Sequence, residues 1–413
     1  TLPVSNIFSV TFKIIILIAS LLLLFSSHNL LKERRKKSFL YFNVFLCAVL
    51  CALGLVTFNN LIYSFIAFVL FGIFSYILIS YRKNDKNKQA AKYYLYCLFI
   101  SSFLFLFGII IFCFYIGNTD IIYISNELTT VSDNIYYLFS SFLIILAFII
   151  MLGIIPFFNI YENICCLSSS GISAYLTIIP VCAYIAFLTR FFVFVSPENP
   201  LCRIIIASTM AITIFCSAFR MLKETNIKKI YVLSSIINSA LLIIVLTGCS
   251  VYSISSVILG LFTYIFTMIG LWSIYIMLKT RYQFDKITDY TGIYYARPYF
   301  TSAYILCITS ILGLPPTLGF ISRLYALSAL FKTDMPLFYF IILPVCIFSL
   351  IIFCYVYLRL IKIMFKKNNN IISINKMFII PKITLYLCSF VILIMFIYPD
   401  KLIKIVQFIA YYI

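Results

Sequence analysis

Charge is scarce in this sequence. Only 10% of its 413 residues are Asp, Glu, Lys or Arg, where a soluble domain carries about 25%, and that excludes a water-soluble fold. Glycine is rare too, with 12 residues, so helix contacts cannot rest mainly on small side chains. A single histidine, His28, and the absence of C-x-x-C among 14 cysteines speak against haem, zinc or iron–sulfur binding. Neither a glycine-rich phosphate loop nor G-x-S-x-G is present. Cys47, Cys97, Cys182 and Cys307 lie in apolar stretches, where a thiol behaves as a small apolar group. The neighbours Cys165 and Cys166 are too close in sequence for an ordinary bridge.

What fills the chain is apolar: 64% of residues are hydrophobic, 43 of them Phe and 32 Tyr, with a mean hydropathy of +1.11. This is an integral membrane protein. Abundant Ile, Asn and Lys give the look of an AT-rich gene, which hints at an organelle. The chain starts Thr1-Leu2-Pro3 without a signal-peptide pattern. That leaves open a removed presequence or absent first residues.

Twelve apolar spans are predicted, over 7–28, 39–58, 60–81, 93–117, 136–166, 171–195, 204–222, 230–249, 251–278, 298–332, 337–358 and 377–397. Each is long enough to cross about 30 Å of hydrocarbon. The formal charge of +19 then has a topological explanation, not a nucleic-acid one. Of 31 basic residues, 24 fall in the connections of one side, in clusters such as Arg34 to Lys37, Arg82, Lys83 and Lys86, Lys228 and Lys229, and Lys376 and Lys382. The other side has Arg203, Lys332, Lys401 and Lys404. By the positive-inside rule the rich side faces the cytoplasm or matrix and both termini face outward.

Two spans are interrupted. Gly313-Leu-Pro315-Pro316 cuts the tenth, where two prolines remove two backbone donors, and Gly153-Ile-Ile-Pro156 cuts the fifth. Inside a bilayer such breaks survive only where protein or water satisfies the freed carbonyls. Five spans apart, the two broken helices cross in opposite directions, which predicts an inverted repeat.

The motifs around these breaks resemble the antiporter-like membrane subunits of respiratory complex I, subunit 2 in particular. Gly313-Leu-Pro-Pro-Thr-Leu-Gly-Phe-Ile-Ser-Arg-Leu-Tyr325 is similar to that family's G-(IL)-P-P-x-x-G-F-x-x-K-x-x segment. Asn226-Ile-Lys-Lys-Ile-Tyr-Val-Leu-Ser-Ser-Ile236 is similar to N-I-K-R-L-L-A-Y-S-S-I, and Asp289-Tyr-Thr-Gly292 with Arg297-Pro298 to its D-Y-x-G-L…R-x-P lead-in. Gln89 to Tyr94 and Tyr355 to Arg359 resemble two further segments. The matches keep order and spacing from about residue 40 to 360, and the first span matches the family's third helix. The resemblance implies an all-α polytopic membrane protein of about 12 transmembrane helices, an antiporter-like inverted repeat with two discontinuous helices. It divides into 1–58, N-terminal helices; 59–195 and 196–360, two halves each with a broken helix; and 361–413, a C-terminal span and tail.

The resemblance further implies membership of the membrane arm of proton-pumping NADH:ubiquinone oxidoreductase, in the mitochondrial inner membrane, with a bacterial plasma membrane as the alternative. Its partners would be subunit 4L-like and subunit 4-like neighbours and bound phospholipid, with no nucleic acid. NADH, FMN, iron–sulfur clusters and ubiquinone would belong to other parts of the complex, with no cofactor, metal or catalytic residue in this chain. The alternative is a cation/proton antiporter-type secondary transporter.

The family's ionisable positions are changed here. The resemblance puts Val69 at its Glu, Met151 and Val181 at two Lys positions, and Arg323 at a third Lys; Asn238 and Phe158 stand where histidines are expected. Eleven acidic residues, Glu33, Asp85, Asp120, Glu127, Asp133, Glu198, Glu224, Asp285, Asp289, Asp334 and Asp400, fall in connections or at span ends. Only Glu162, past the first break, enters a span. A charge at mid-bilayer costs at least about 2.5–3.5 kcal/mol, so its loss marks lost use. A degenerate proton path and a mainly structural role are expected. Arg323, which cannot release a proton, is read as bonding carbonyls freed at the break rather than as a fixed charge. Lys228 and Lys229 are attributed to topology, with proton uptake as the lesser alternative. Lys13 is read as snorkelling, and the tail around Lys401, Lys404 and Gln407 as an interfacial helix.

Overall fold

The computed structural model describes residues 6–32, 35–82, 84–124, 135–195, 200–332, 336–367 and 378–411. Glu33, Glu127, Asp133, Glu198 and Asp334, with the basic Arg34, Lys83 and Lys376, lie outside the described residues. The helices are α1 Ile7–Lys32, α2 Arg35–Thr57, α3 Leu61–Ser80, α4 Asp85–Ile116, α5 Ile135–Met151, α6 Phe158–Leu167, α7 Ser170–Val195 and α8 Pro200–Lys223. They continue with α9 Ile227–Leu246, α10 Val251–Tyr282, α11 Pro298–Leu312, α12 Leu318–Phe331, α13 Pro336–Met364, α14 Ile379–Ile397 and α15 Pro399–Tyr411.

Ten of these are long and apolar enough to span a membrane. The pairs α5–α6 and α11–α12 supply the two broken spans, and the total is the twelve crossings expected. Several helices outrun their hydropathy: α4 and α10 have 32 residues each, about 48 Å at 1.5 Å per residue. Their polar turns, such as Asp85 to Lys92, continue the helix into the headgroup region, where hydropathy cannot see it.

The inverted repeat is written in local geometry. Asn60 caps α3 by accepting the Ile62 N–H, and Asn226 caps α9 by accepting that of Lys228, both at 2.9 Å. Each asparagine also forms a β-bridge to the strap after the next helix, Asn60 to Asp120 and Asn226 to Lys286. Both bridges have an offset of 166 residues. The residues that end α4 and α10, Gly117 and Gln283, are both left-handed, at φ 75° and 56°. Pro180 lies inside α7 and Pro344 inside α13. These pairs match α3, α4, α5–α6 and α7 with α9, α10, α11–α12 and α13.

Three helices form the centre. α7, α9 and α10 are buried on nearly all sides, while α2, α3, α4, α8, α13 and α14 each leave a face outward. Buried hydroxyls mostly turn back on their own helix: Ser64 donates to Leu61 O, Ser140 to Tyr137 O and Ser217 to Thr213 O. That is how Ser and Thr are accommodated in an apolar interior. The tail is a helix as expected. α15 buries Val406, Ile409 and Ala410, and Gln407 Nε2 donates to Tyr325 Oη at 2.8 Å.

Candidate functional site

Both breaks end in the same helix terminator. Gly153 has φ 72° and Gly313 φ 71°, a conformation that favours glycine. After α5, Gly153 N donates to Ile150 O and Ile154 N to Ile149 O; after α11, Gly313 N donates to Ser310 O and Leu314 N to Thr309 O. This is the paired-bond cap that satisfies the last carbonyls of a helix. The peptide bonds before Pro156 and Pro316 are both cis. Each break glycine is roofed by a side chain of the following half-helix: a Cβ would fall 2.4 Å from the Tyr161 ring at Gly153 and 2.3 Å from Arg323 Cδ at Gly313. Gly319, the second glycine of the motif, lets α12 fold back against α11, for a Cβ there would sit 1.8 Å from Ser310 O.

The interior of the first half is filled by rings. Val69 is half-buried in α3, Met151 is the buried last residue of α5, and Val181 is buried in α7. Beside or one turn from them stand Phe68, Phe148 and Tyr184, whose ring centroids are 5.1, 5.7 and 5.6 Å apart in pairs. Phe105 and Phe187 complete the cluster, Phe187 stacking on Phe148 at 4.5 Å. Edge-to-face and offset pairs of this kind pack well, and none of these side chains exchanges a proton near neutral pH.

The buried cations are spent on carbonyls. Arg323 Nη2 donates to Ile311 O at 2.5 Å, across the second break, and its guanidinium lies 5.7 Å from the Phe353 ring centroid. Lys228 Nζ donates to Cys166 O at 2.8 Å and to Ser168 O, closing the C-terminus of α6. Arg190, 4% exposed, donates from Nη1 to Val56 O and Phe58 O at 3.1 and 3.3 Å, closing α2. A cation at a helix C-terminus bonds orphan carbonyls and complements the dipole. Topology alone therefore does not account for Lys228, which is buried with its charge turned inward. Arg190 carried no signal in the sequence beyond its place near the end of a span.

Glu162 is the one acidic side chain buried in a span among the described residues, at 1% exposure. Its carboxylate meets Arg220 Nε at 2.7 Å and Lys229 Nζ at 3.6 Å, and Lys229 also meets Glu224 at 2.9 Å. Arg220 further bonds Asn159 and lies 5.4 Å from the Phe158 ring. Lys229 thus serves this network rather than the aqueous face alone. The network gathers α6, α8, the α8–α9 turn and the start of α9, so Glu162 is far in sequence from its partners.

The second half keeps a cavity of about 420 Å³. Arg323, Asn238, Ser310, Thr263 and Tyr264 lie on a mainly apolar wall of α9, α10, α11, α12 and α13. Asn238 Nδ2 is turned to Ser234 O at 2.8 Å. Nearby hydroxyls pair across helices, Ser234 with Tyr357 at 2.8 Å and Tyr231 with Tyr304.

Residues 58–350 match the family model described as NADH:quinone oxidoreductase/Mrp antiporter, TM. The chain belongs to that family. It is 26% identical over 419 residues to NAD(P)H-quinone oxidoreductase subunit 2 of the Chara vulgaris chloroplast, covering 94% of this chain and 80% of the relative. Among solved structures it resembles a chain of the Mrp complex from Dietzia sp., with a TM-score of 0.87 at 13% identity, over 99% of this chain and 84% of that one. A chain of respiratory complex I from Thermus thermophilus gives 0.77 at 16%, over 97% and 86%. At such identities the structural likeness is one of fold. This member of the NADH:quinone oxidoreductase/Mrp antiporter family has two helix breaks and places Arg190, Lys228 and Arg323 on helix ends.

Proposed function

We propose that this chain is a subunit 2-like member of the membrane arm of a proton-pumping NADH:ubiquinone oxidoreductase, structural in role, with a degenerate proton path of its own. Family membership and the subunit 2 relatives support the assignment. One observation carries the structural role: Arg190, Lys228 and Arg323 are each bonded to backbone carbonyls, while Val69, Met151 and Val181 offer no ionisable group. A proton path needs groups whose charge can change. On this reading NADH, FMN, iron–sulfur clusters and ubiquinone act in other subunits, and subunit 4L-like and subunit 4-like proteins with phospholipid flank this one. The membrane is the mitochondrial inner membrane. The repeat pairs suggest halves that begin at α3 and α9.

A second reading, a free-standing cation/proton antiporter, draws on the Glu162–Lys229 approach and the likeness to the Mrp chain. Against it, Arg220 holds the same carboxylate more closely, at 2.7 Å.

The test is to purify the chain from its native membrane in mild detergent and identify what migrates with it. A large NADH-oxidising assembly is the expected outcome. A chain that migrates alone and dissipates a pH gradient in proteoliposomes on cation addition would overturn the proposal in favour of the antiporter.

A further inference from the structure

At the end of the bundle where the basic connections gather, a polar cavity of about 610 Å³ opens between the α3–α4 turn, the α6–α7 junction, the start of α9 and the end of α10. Its wall carries four cationic side chains, Arg82, Lys86, Lys228 and Lys279, against one carboxylate, Asp285. That carboxylate is already engaged, accepting from Tyr275 Oη at 2.8 Å and from Lys279 Nζ. The N-termini of α7, at Ser169 and Ser170, and of α9, at Asn226, open on the same space. Both helices are long, and their positive ends favour an anion.

A general basic face would need no buried donor, yet the cavity has one. Asn87 is 4% exposed, lines the cavity, and its Nδ2 finds no hydrogen-bond partner among the described residues. A buried donor left unpaired costs about 1–3 kcal/mol, a cost an acceptor in the cavity would remove. Lys228 stands opposite on another element; its ammonium has three donors and gives two of them to Cys166 O and Ser168 O.

We propose that this cavity binds a phosphate-bearing anion. A tetrahedral oxyanion offers acceptors in several directions, which suits donors converging from four elements, and the surplus of cations suits its charge. The volume leaves room beyond the phosphate for the small polar group that carries it. Because the wall is polar, with Leu167 its one aliphatic residue, acyl chains of a phospholipid would stay outside while the headgroup enters. The phosphate could equally be free in solution. This site is separate from any proton path and stands whether or not the chain is a complex subunit.

The full chain in neutral detergent would be titrated with inorganic phosphate and with glycerol phosphate by calorimetry. In parallel, chain reconstituted in phosphatidylcholine with phosphatidylglycerol would be released and its retained lipids counted by native mass spectrometry. Saturable binding is expected, weakened about tenfold by Asn87→Leu, which deletes one donor to the anion without changing the charge. The double variant Arg82→Gln/Lys86→Gln should weaken it as well, and an unchanged thermal unfolding midpoint shows that both variants fold. Retention of phosphatidylglycerol, displaced by glycerol phosphate, identifies a lipid headgroup; binding of the soluble anions alone identifies a solution ligand. No saturable binding of any probe, or binding that Asn87→Leu leaves untouched, overturns the proposal, because a charged surface alone would behave that way.

Discussion

Arg323 donates to the carbonyl of Ile311, twelve residues earlier, and thereby ties α12 to the end of α11 across the break. A side chain that never loses its proton is used where the resemblance places a lysine. The same solution recurs where Arg190 meets Val56 O and Lys228 meets Cys166 O. In each case positive charge completes a helix end.

Arg323→Leu should therefore harm folding rather than coupling. It leaves the Ile311 carbonyl unbonded inside the membrane, at roughly 1–3 kcal/mol. The expected result is reduced assembly yield and a lower thermal midpoint, with protons moved per NADH in surviving complex unchanged. A normal midpoint with altered stoichiometry would contradict this role.

Gly319→Ala should be as disruptive although it adds one methyl group. The new Cβ would meet Ser310 O, a backbone atom that cannot step aside, and forced overpacking costs about 1–3 kcal/mol. Protease resistance of the detergent-solubilised chain reads this out. Resistance equal to that of the parent would mean that α11 and α12 do not lie as close as described.

Val181→Lys should not restore a proton path. The position is buried in α7, and an uncompensated lysine at mid-membrane costs about 2.5–3.5 kcal/mol on insertion scales. Loss of expression is expected. A folded variant with more protons moved per NADH would show that the interior is wetter than the ring packing allows.

Glu162→Gln should weaken the α6–α8 contact without affecting turnover. Arg220 and Lys229 are each about a third exposed, so water rehydrates them and the loss stays near 1 kcal/mol. Chemical denaturation measures it. Abolished pumping with unchanged stability would make the carboxylate a proton carrier instead.

Single cysteines at Lys86 and Asn118, at the two ends of the 32-residue α4, should react with an impermeant thiol reagent from opposite faces of sealed vesicles. Labelling of both from one face would remove the twelve-crossing topology.

Much of this architecture was legible because membranes punish polar mistakes. The alternation of basic and non-basic connections gave the count of crossings, and Pro156 and Pro315-Pro316 gave the breaks. Interior placement was not legible: α7, α9 and α10 are apolar on every side, so no periodicity distinguishes the centre of the bundle from its lipid-facing ring. The partners of Glu162 were hidden for a different reason. Glu162, Arg220 and Lys229 meet only because three helix ends converge, and a linear spacing carries no trace of that. Arg190 was hidden likewise, since Val56 and Phe58 contribute backbone oxygens that any residue could supply.

The β-bridges at Asn60–Asp120 and Asn226–Lys286 have a mechanical consequence. Each fastens the open end of a helical hairpin whose other end is closed by its own turn, so α3–α4 and α9–α10 become rods pinned at both ends. A rod pinned twice transmits a push along its length and resists bending. Strain arriving at one end of either hairpin would therefore reach the other end undiminished.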